Sequence, residues 1–110
     1  MDKLKIMLSS PIENKTKEEI DNEKNELANV LFDYFGEDNI AIISPIIETP
    51  TEKVGLEYFG EAIFCMSASN ALVMGGHWAD SRECKLMYEI ANAYDVPILF
   101  VDELKRELEE

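Results

Sequence analysis

Residues 71–84, which read ALVMGGHWADSREC, pass from an apolar run through two glycines towards a helix start. The run at 71–74 is short, continuous and apolar, which is typical of a strand buried on both faces of a parallel sheet. Gly75 and Gly76 end it, since glycine permits a close backbone approach or a positive φ. A strand, a glycine turn and a capped helix form the repeating unit of an α/β fold.

The helix that follows is predicted to begin at a cap supplied by Asp80 or Ser81, with Glu83 in its first turn, and to run to about Tyr94. Outward from this unit, three more short apolar runs alternate with segments of helical periodicity. The sequence predicts strands at 5–8, 40–43, 71–74 and 97–101, helices at about 15–35, 55–69 and 81–94, a loop at 46–53, and a charged helix or frayed end after 101.

Strands and helices in strict alternation imply a parallel sheet covered on both faces. We expect a three-layer α/β sandwich with a four-stranded sheet in the order 2-1-3-4. The 110 residues give one domain, 1–110. In such sheets ligands bind at the carboxyl ends of the strands, beside the switch point between strands 1 and 3.

Composition narrows the function classes. Ten basic and 23 acidic residues give a net charge of −13, which argues against nucleic acid and anionic membranes as partners. No apolar run is long enough to span a membrane. Cys65 and Cys84 lie in apolar stretches and are expected to be free thiols. We expect a cytoplasmic protein, in the host cytoplasm if the chain is viral.

Small and polar residues follow the predicted strands at the carboxyl edge. Their hydroxyls and backbone amides could contact a ligand, and the amino end of the helix after Ser81 could hold an anion. Trp78 either stacks on a base or covers the edge of the core. An ordinary turn and a plain helix cap remain open as alternatives for the serines. The candidate ligand-binding residues are Ser9, Ser10, Pro11, Ile12, Gly75, Gly76, Trp78, Ser81, Arg82 and Met87.

Metal and cofactor chemistry has little support in the sequence. His77 is the single histidine, and a metal site built from it and scattered carboxylates is a poor candidate. No Walker loop and no Ser-His-Asp arrangement is present. We therefore expect neither a metal nor a cofactor.

The segments KIMLSSPI, NALVMGGHW and SRECKLMYEIANAYDVPI resemble the nucleoside 2-deoxyribosyltransferase superfamily, and most closely its small DUF4406-type members found in phages and bacteria. The resemblance covers nearly the whole chain. It implies a flavodoxin-like or Rossmann-like sheet, a nucleoside or nucleotide ligand, and a homo-oligomer. The chemistry of the family is cleavage or transfer at a deoxyribose N-glycosidic bond, with a glutamate as nucleophile, an aspartate and a tyrosine.

Only part of that machinery is present here. The serine of the family's last motif falls on Ser81, but the nucleophilic glutamate falls on Met87, the aspartate on about Ala62 and the tyrosine on Met7. A thioether cannot attack a sugar, and losing a nucleophile costs many orders of magnitude in rate. Met87 also fits a core stripe formed by Cys84, Met87, Ala91 and Tyr94.

Three functions follow as hypotheses. The first is a binding protein for a nucleoside or nucleotide derivative that has lost catalysis; in a phage it would sequester a host nucleotide signal. The second is an active N-glycosidic hydrolase or transferase with a relocated carboxylate, Glu83 or Glu61. The third is an acidic protein-interaction module, ranked last because scattered acids usually form a solvated surface.

Overall fold

The computed structural model describes residues 3–44 and 54–109, so the predicted loop at 46–53 lies outside the described residues. Four strands alternate with four helices, and two short 3-10 turns precede β2 and α3. The elements in chain order are β1 Leu4–Ser9, α1 Lys17–Phe35, β2 Ile40–Ile43, α2 Val54–Ser67, β3 Ala71–Met74, α3 Arg82–Ala93, β4 Ile98–Phe100 and α4 Val101–Glu109.

All strand pairs are parallel, and the sheet order is β2-β1-β3-β4, as predicted. β1 is central: Leu4 pairs with Ile40 on one side, and Ser9 pairs with Met74 on the other. The connection after β1 leads to β2 on one side, and the connection after β2 crosses to β3 on the other side of β1. This change of direction places the switch point at the carboxyl ends of β1 and β3.

Helices cover both faces of the sheet, giving the three predicted layers. Alternate residues of β1 separate the two cores, because successive side chains of a strand point to opposite faces. Ile6 and Leu8 pack with α1 and α4, and Met7 packs with α2 and α3. None of the described helices combines the length and apolar character needed to cross a membrane.

Local sequence signals set the ends of α1. Thr16 and Glu19 form a reciprocal capping box, with the Glu19 amide donating to Thr16 Oγ1 over 3.1 Å. Gly36 ends the helix at φ 91°, a conformation that favours glycine.

Three predicted details are wrong. The fourth strand is shorter than 97–101, because Val101 already belongs to α4 although it is buried. Tyr94 is 77% exposed, so the core stripe of α3 ends at Ala91. Leu56, which the helical spacing predicts on one buried face with Phe59, Ile63 and Met66, is 85% exposed. The other three do pack against the core, where buried Tyr58 and Ala62 extend the face.

Candidate functional site

The carboxyl ends of β1 and β3 are held tightly together. The Gly75 amide donates to the Ser9 carbonyl over 2.7 Å. A Cβ placed on Gly75 would lie 3.1 Å from Ser10 Cβ and 3.2 Å from Leu27 Cδ1. The predicted close backbone approach is therefore confirmed at Gly75. The left-handed conformation in this turn belongs to His77, at φ 61°, and not to a glycine.

The two serines at the end of β1 serve opposite layers. Ser9 is buried, and its hydroxyl donates to Cys84 Sγ of α3 over 3.4 Å. Burial raises the pKa of the Cys84 thiol, although the hydrogen bond from Ser9 lowers it, so this thiol is poorly reactive. Ser10 is also buried, lies against Gly75, and its Oγ has no hydrogen-bond partner among the described residues.

Ser81 is the N-cap of α3, which decides between the two predicted caps. Its side chain is 1% exposed and accepts a hydrogen bond from the Cys84 amide over 3.3 Å. Its hydroxyl proton goes to Glu13 Oε1 over 2.7 Å. Ser81 therefore fixes the position of a carboxylate that comes from the loop after β1.

Glu13 and Glu83 bring two carboxyl groups together at the amino end of α3. Burial disfavours the ionised form of Glu13, but the hydrogen bond from the Ser81 hydroxyl and polar interactions with Glu83 outweigh it and lower its pKa from 4.5 to about 2.

Glu83 is the one charged side chain that is buried among the described residues, at 7% exposure. Its Oε1 accepts from Nε and Nη2 of Arg82 over 3.1 and 2.6 Å, with the Arg82 side chain 75% exposed. Its Oε2 is buried without a donor from the described residues. The helix dipole favours an acid in the first turn even when that acid is exposed, so the dipole does not explain why Glu83 is buried. Ser81, Glu13 and Glu83 are called the carboxyl pair site below.

α2 carries a buried phenol that is influenced by the charge of the carboxyl pair site. Tyr58 is 8% exposed and packs with Ile12 and Ile20. Burial raises the pKa of Tyr58, with nearby thiols and then the Glu13 and Glu83 carboxyls adding to the effect. The phenol is therefore neutral and can donate a hydrogen bond. The Lys24 ammonium lies 6.0 Å from the ring centroid, within cation–π range.

Trp78 covers the edge of the core. Its indole stacks on Tyr88 with centroids 4.9 Å apart and lies 5.6 Å from Phe100. This packing agrees with the covering role, and one indole face is already occupied. Stacking of Trp78 on a ligand base stays a prediction, and it would have to use the other face.

The positions that the resemblance assigns to catalysis are filled by the core. Met7, Met87 and Ala62 are 1%, 2% and 2% exposed and belong to one apolar cluster with Met74 and Cys84. Met87, predicted as a ligand contact, lies on α3 and packs against the sheet. This packing agrees with the interpretation of Met87 as part of a core stripe.

The remaining candidate residues lie around this centre. Pro11 is half-buried and Ile12 buried above the end of β1, whereas Gly76 and Arg82 are exposed. Glu61 is exposed on α2 beside the buried Ala62. Of the two relocated carboxylates that the sequence offered, Glu83 is the buried one beside Ser81.

A cavity of about 420 Å³ lies along β4 and the end of α3, with Tyr88, Ile98 and Phe100 among its lining residues. None of the carboxyl pair site residues lines it. Within residues 3–44 and 54–109, no three His, Cys, Asp or Glu side chains are grouped as metal ligands.

Comparison with family models, with curated proteins and with solved structures finds no match to this chain.

Sequence reasoning missed Glu13 and Tyr58. Glu13 lies two residues after Pro11, in the stretch that leaves β1 at the switch point. That place was a usable signal, because an acid at the carboxyl end of a central strand faces the ligand edge. Tyr58 gave no such signal, since an aromatic residue on a helix usually belongs to the core.

Proposed function

We propose that this protein binds a nucleoside or nucleotide derivative at the carboxyl edge of its sheet and does not cleave it. The observation that carries the proposal is the contrast at that edge. Polar groups of the carboxyl pair site gather at the switch point, while Met7 and Met87, to which the resemblance assigns the tyrosine and the glutamate of the family, are buried in the apolar core.

The chemistry of the site suits a ligand with sugar hydroxyls. Carboxylate oxygens accept hydrogen bonds from hydroxyls, and the neutral phenol of Tyr58 can donate one. Sheets of this class bind their ligands at this edge, which adds a fold-level argument by analogy.

Calorimetry against nucleosides, nucleotides, cyclic dinucleotides and ADP-ribose derivatives tests the proposal. At least one compound should bind, and chromatography after incubation should detect no free base. Glu83→Gln should weaken binding at least tenfold, and Glu89→Gln, exposed on the same helix, should not. If none of these compounds binds to the folded protein, the proposal is wrong.

The pairing of Glu13 with Glu83 favours a second candidate, an N-glycosidase with relocated carboxylates. The ionised carboxylate would attack C1′ as the C1′–N bond breaks, the other carboxyl would give its proton to the departing base, and water would then release the sugar. We rank it second because the Ser81 hydroxyl already binds one carboxylate and the Arg82 guanidinium binds the other. Base release that disappears in both Glu13→Gln and Glu83→Gln would favour the enzyme.

A further inference from the structure

The amino end of α3 already holds an anion, and that anion is part of the protein. Glu13 Oε1 accepts from the Ser81 hydroxyl over 2.7 Å, and the Cys84 amide donates to Ser81 Oγ over 3.3 Å. Free amides and a hydroxyl at a helix amino end are the donors that bind phosphate in other sites. Here the Glu13 carboxylate takes the hydroxyl, and the Cys84 amide is already bonded to the cap.

Glu83 provides a second, separate observation at the same place. Its side chain is more than nine-tenths buried two residues after Ser81, and its Oε2 has no donor from the described residues. Arg82 reaches only Oε1, from the solvent side. A buried oxygen without a donor is satisfied when a ligand supplies one.

We infer that Glu13 sets the charge of the ligand: its carboxylate occupies the anion position of α3, so the site takes a group that donates hydrogen bonds and carries no negative charge, such as a hydroxyl or an ammonium, and excludes phosphate. This inference rests on the proposed function for the place of the ligand. A phosphate in the same position would meet two carboxyl groups and would find its donors already used.

A titration with inorganic phosphate tests whether the Glu13 carboxylate excludes anions from this position. Phosphate is titrated at low ionic strength into the ¹⁵N-labelled full chain, following the amide resonances of Glu83 and Cys84. The unaltered protein should show no saturable shift. Glu13→Ala, which removes this carboxylate and frees the Ser81 hydroxyl, should show saturable shifts with at least tenfold higher affinity.

Glu18→Ala, an exposed acid in the first turn of α1, removes the same charge elsewhere and should not gain affinity. Glu13→Gln keeps the shape and removes the charge, and should fall between Glu13→Ala and this control. Amide dispersion without phosphate checks the fold, and the Gln variant carries the test if the Ala variant is unfolded.

Saturable phosphate binding by the unaltered protein, or gains at Glu13 no larger than the gain at Glu18, would overturn the inference. The proposed function fails separately. A flat nucleoside panel removes the ligand class, whereas the phosphate titration still reports whether Glu13 blocks the anion position.

Discussion

Glu13→Gln should destabilise the protein at neutral pH, and the loss should vanish in acid. The folded state lowers the pKa of Glu13 from 4.5 to about 2, so it holds the ionised form more strongly than the unfolded chain does. The full shift is worth about 3 kcal/mol. Solvent reaches this half-buried carboxylate, which reduces the expected loss to about 1–2 kcal/mol.

The sign follows from proton linkage. A depressed pKa contributes stability that is fully present above pH 4.5 and is lost as the pH falls to about 2. Urea unfolding at pH 7, 5, 4 and 3 is followed through Trp78, the single tryptophan. The difference between unaltered protein and variant should be equal at pH 7 and 5 and should shrink from pH 5 to pH 3. Equal m-values make the midpoints comparable.

Glu26→Gln, on an exposed position of α1, is the matched control and should change stability by less than about 0.5 kcal/mol. A Glu13→Gln loss that stays constant down to pH 3 would mean that packing, and not charge, is responsible. If the variant shows no loss of stability at pH 7, the folded protein does not stabilise Glu13 in an ionised, hydrogen-bonded form.

Three further predictions concern the packing around the site. Met87→Ala should cost about 2–5 kcal/mol in denaturant unfolding, while Met87→Leu should cost less than about 1.5 kcal/mol; equal costs would contradict the close packing of this side chain. Gly75→Ala should lower the free energy of unfolding by about 1–3 kcal/mol, because its Cβ would crowd the neighbouring strand. Gly60→Ala, with no atom within 4 Å of the new Cβ, should raise it by about 0.5–1 kcal/mol, as measured by thermal unfolding. The reverse order of stability would refute the strand-end contact. A thiol reagent should label half-buried Cys65 well before Cys84, which is 1% exposed with its pKa raised by burial; equal rates would show that Cys84 is accessible.

The sheet could be predicted from the sequence because its strands are continuous apolar runs bounded by turn residues. β2 and β3 match their predicted bounds for this reason. β4 does not, since its apolar run continues into α4 and Val101 is buried in either conformation. Hydrophobicity marks burial, and it does not mark where a strand becomes a helix.

The centre of the site could be predicted only in part. Ser81 was found because a cap has a local signal, a serine before a helical pattern. Glu13 was missed because its partner Ser81 lies 68 residues away in the chain. A polar contact of that span depends on how the loop after β1 packs against α3, and neither periodicity nor composition records it.

The acidic composition itself makes the carboxyl pair informative. A net charge of −13 means that each further buried carboxylate meets an unfavourable field. A solvated surface accounts for exposed acids such as Glu18, Glu26 and Glu61, since water screens them. It does not account for Glu83, which is buried against a second carboxyl group with one oxygen left without a donor. Proteins bury charged groups without full hydrogen bonding mainly where a functional site requires them. Glu83 lies near the switch point of the sheet, where sheets of this class bind their ligands.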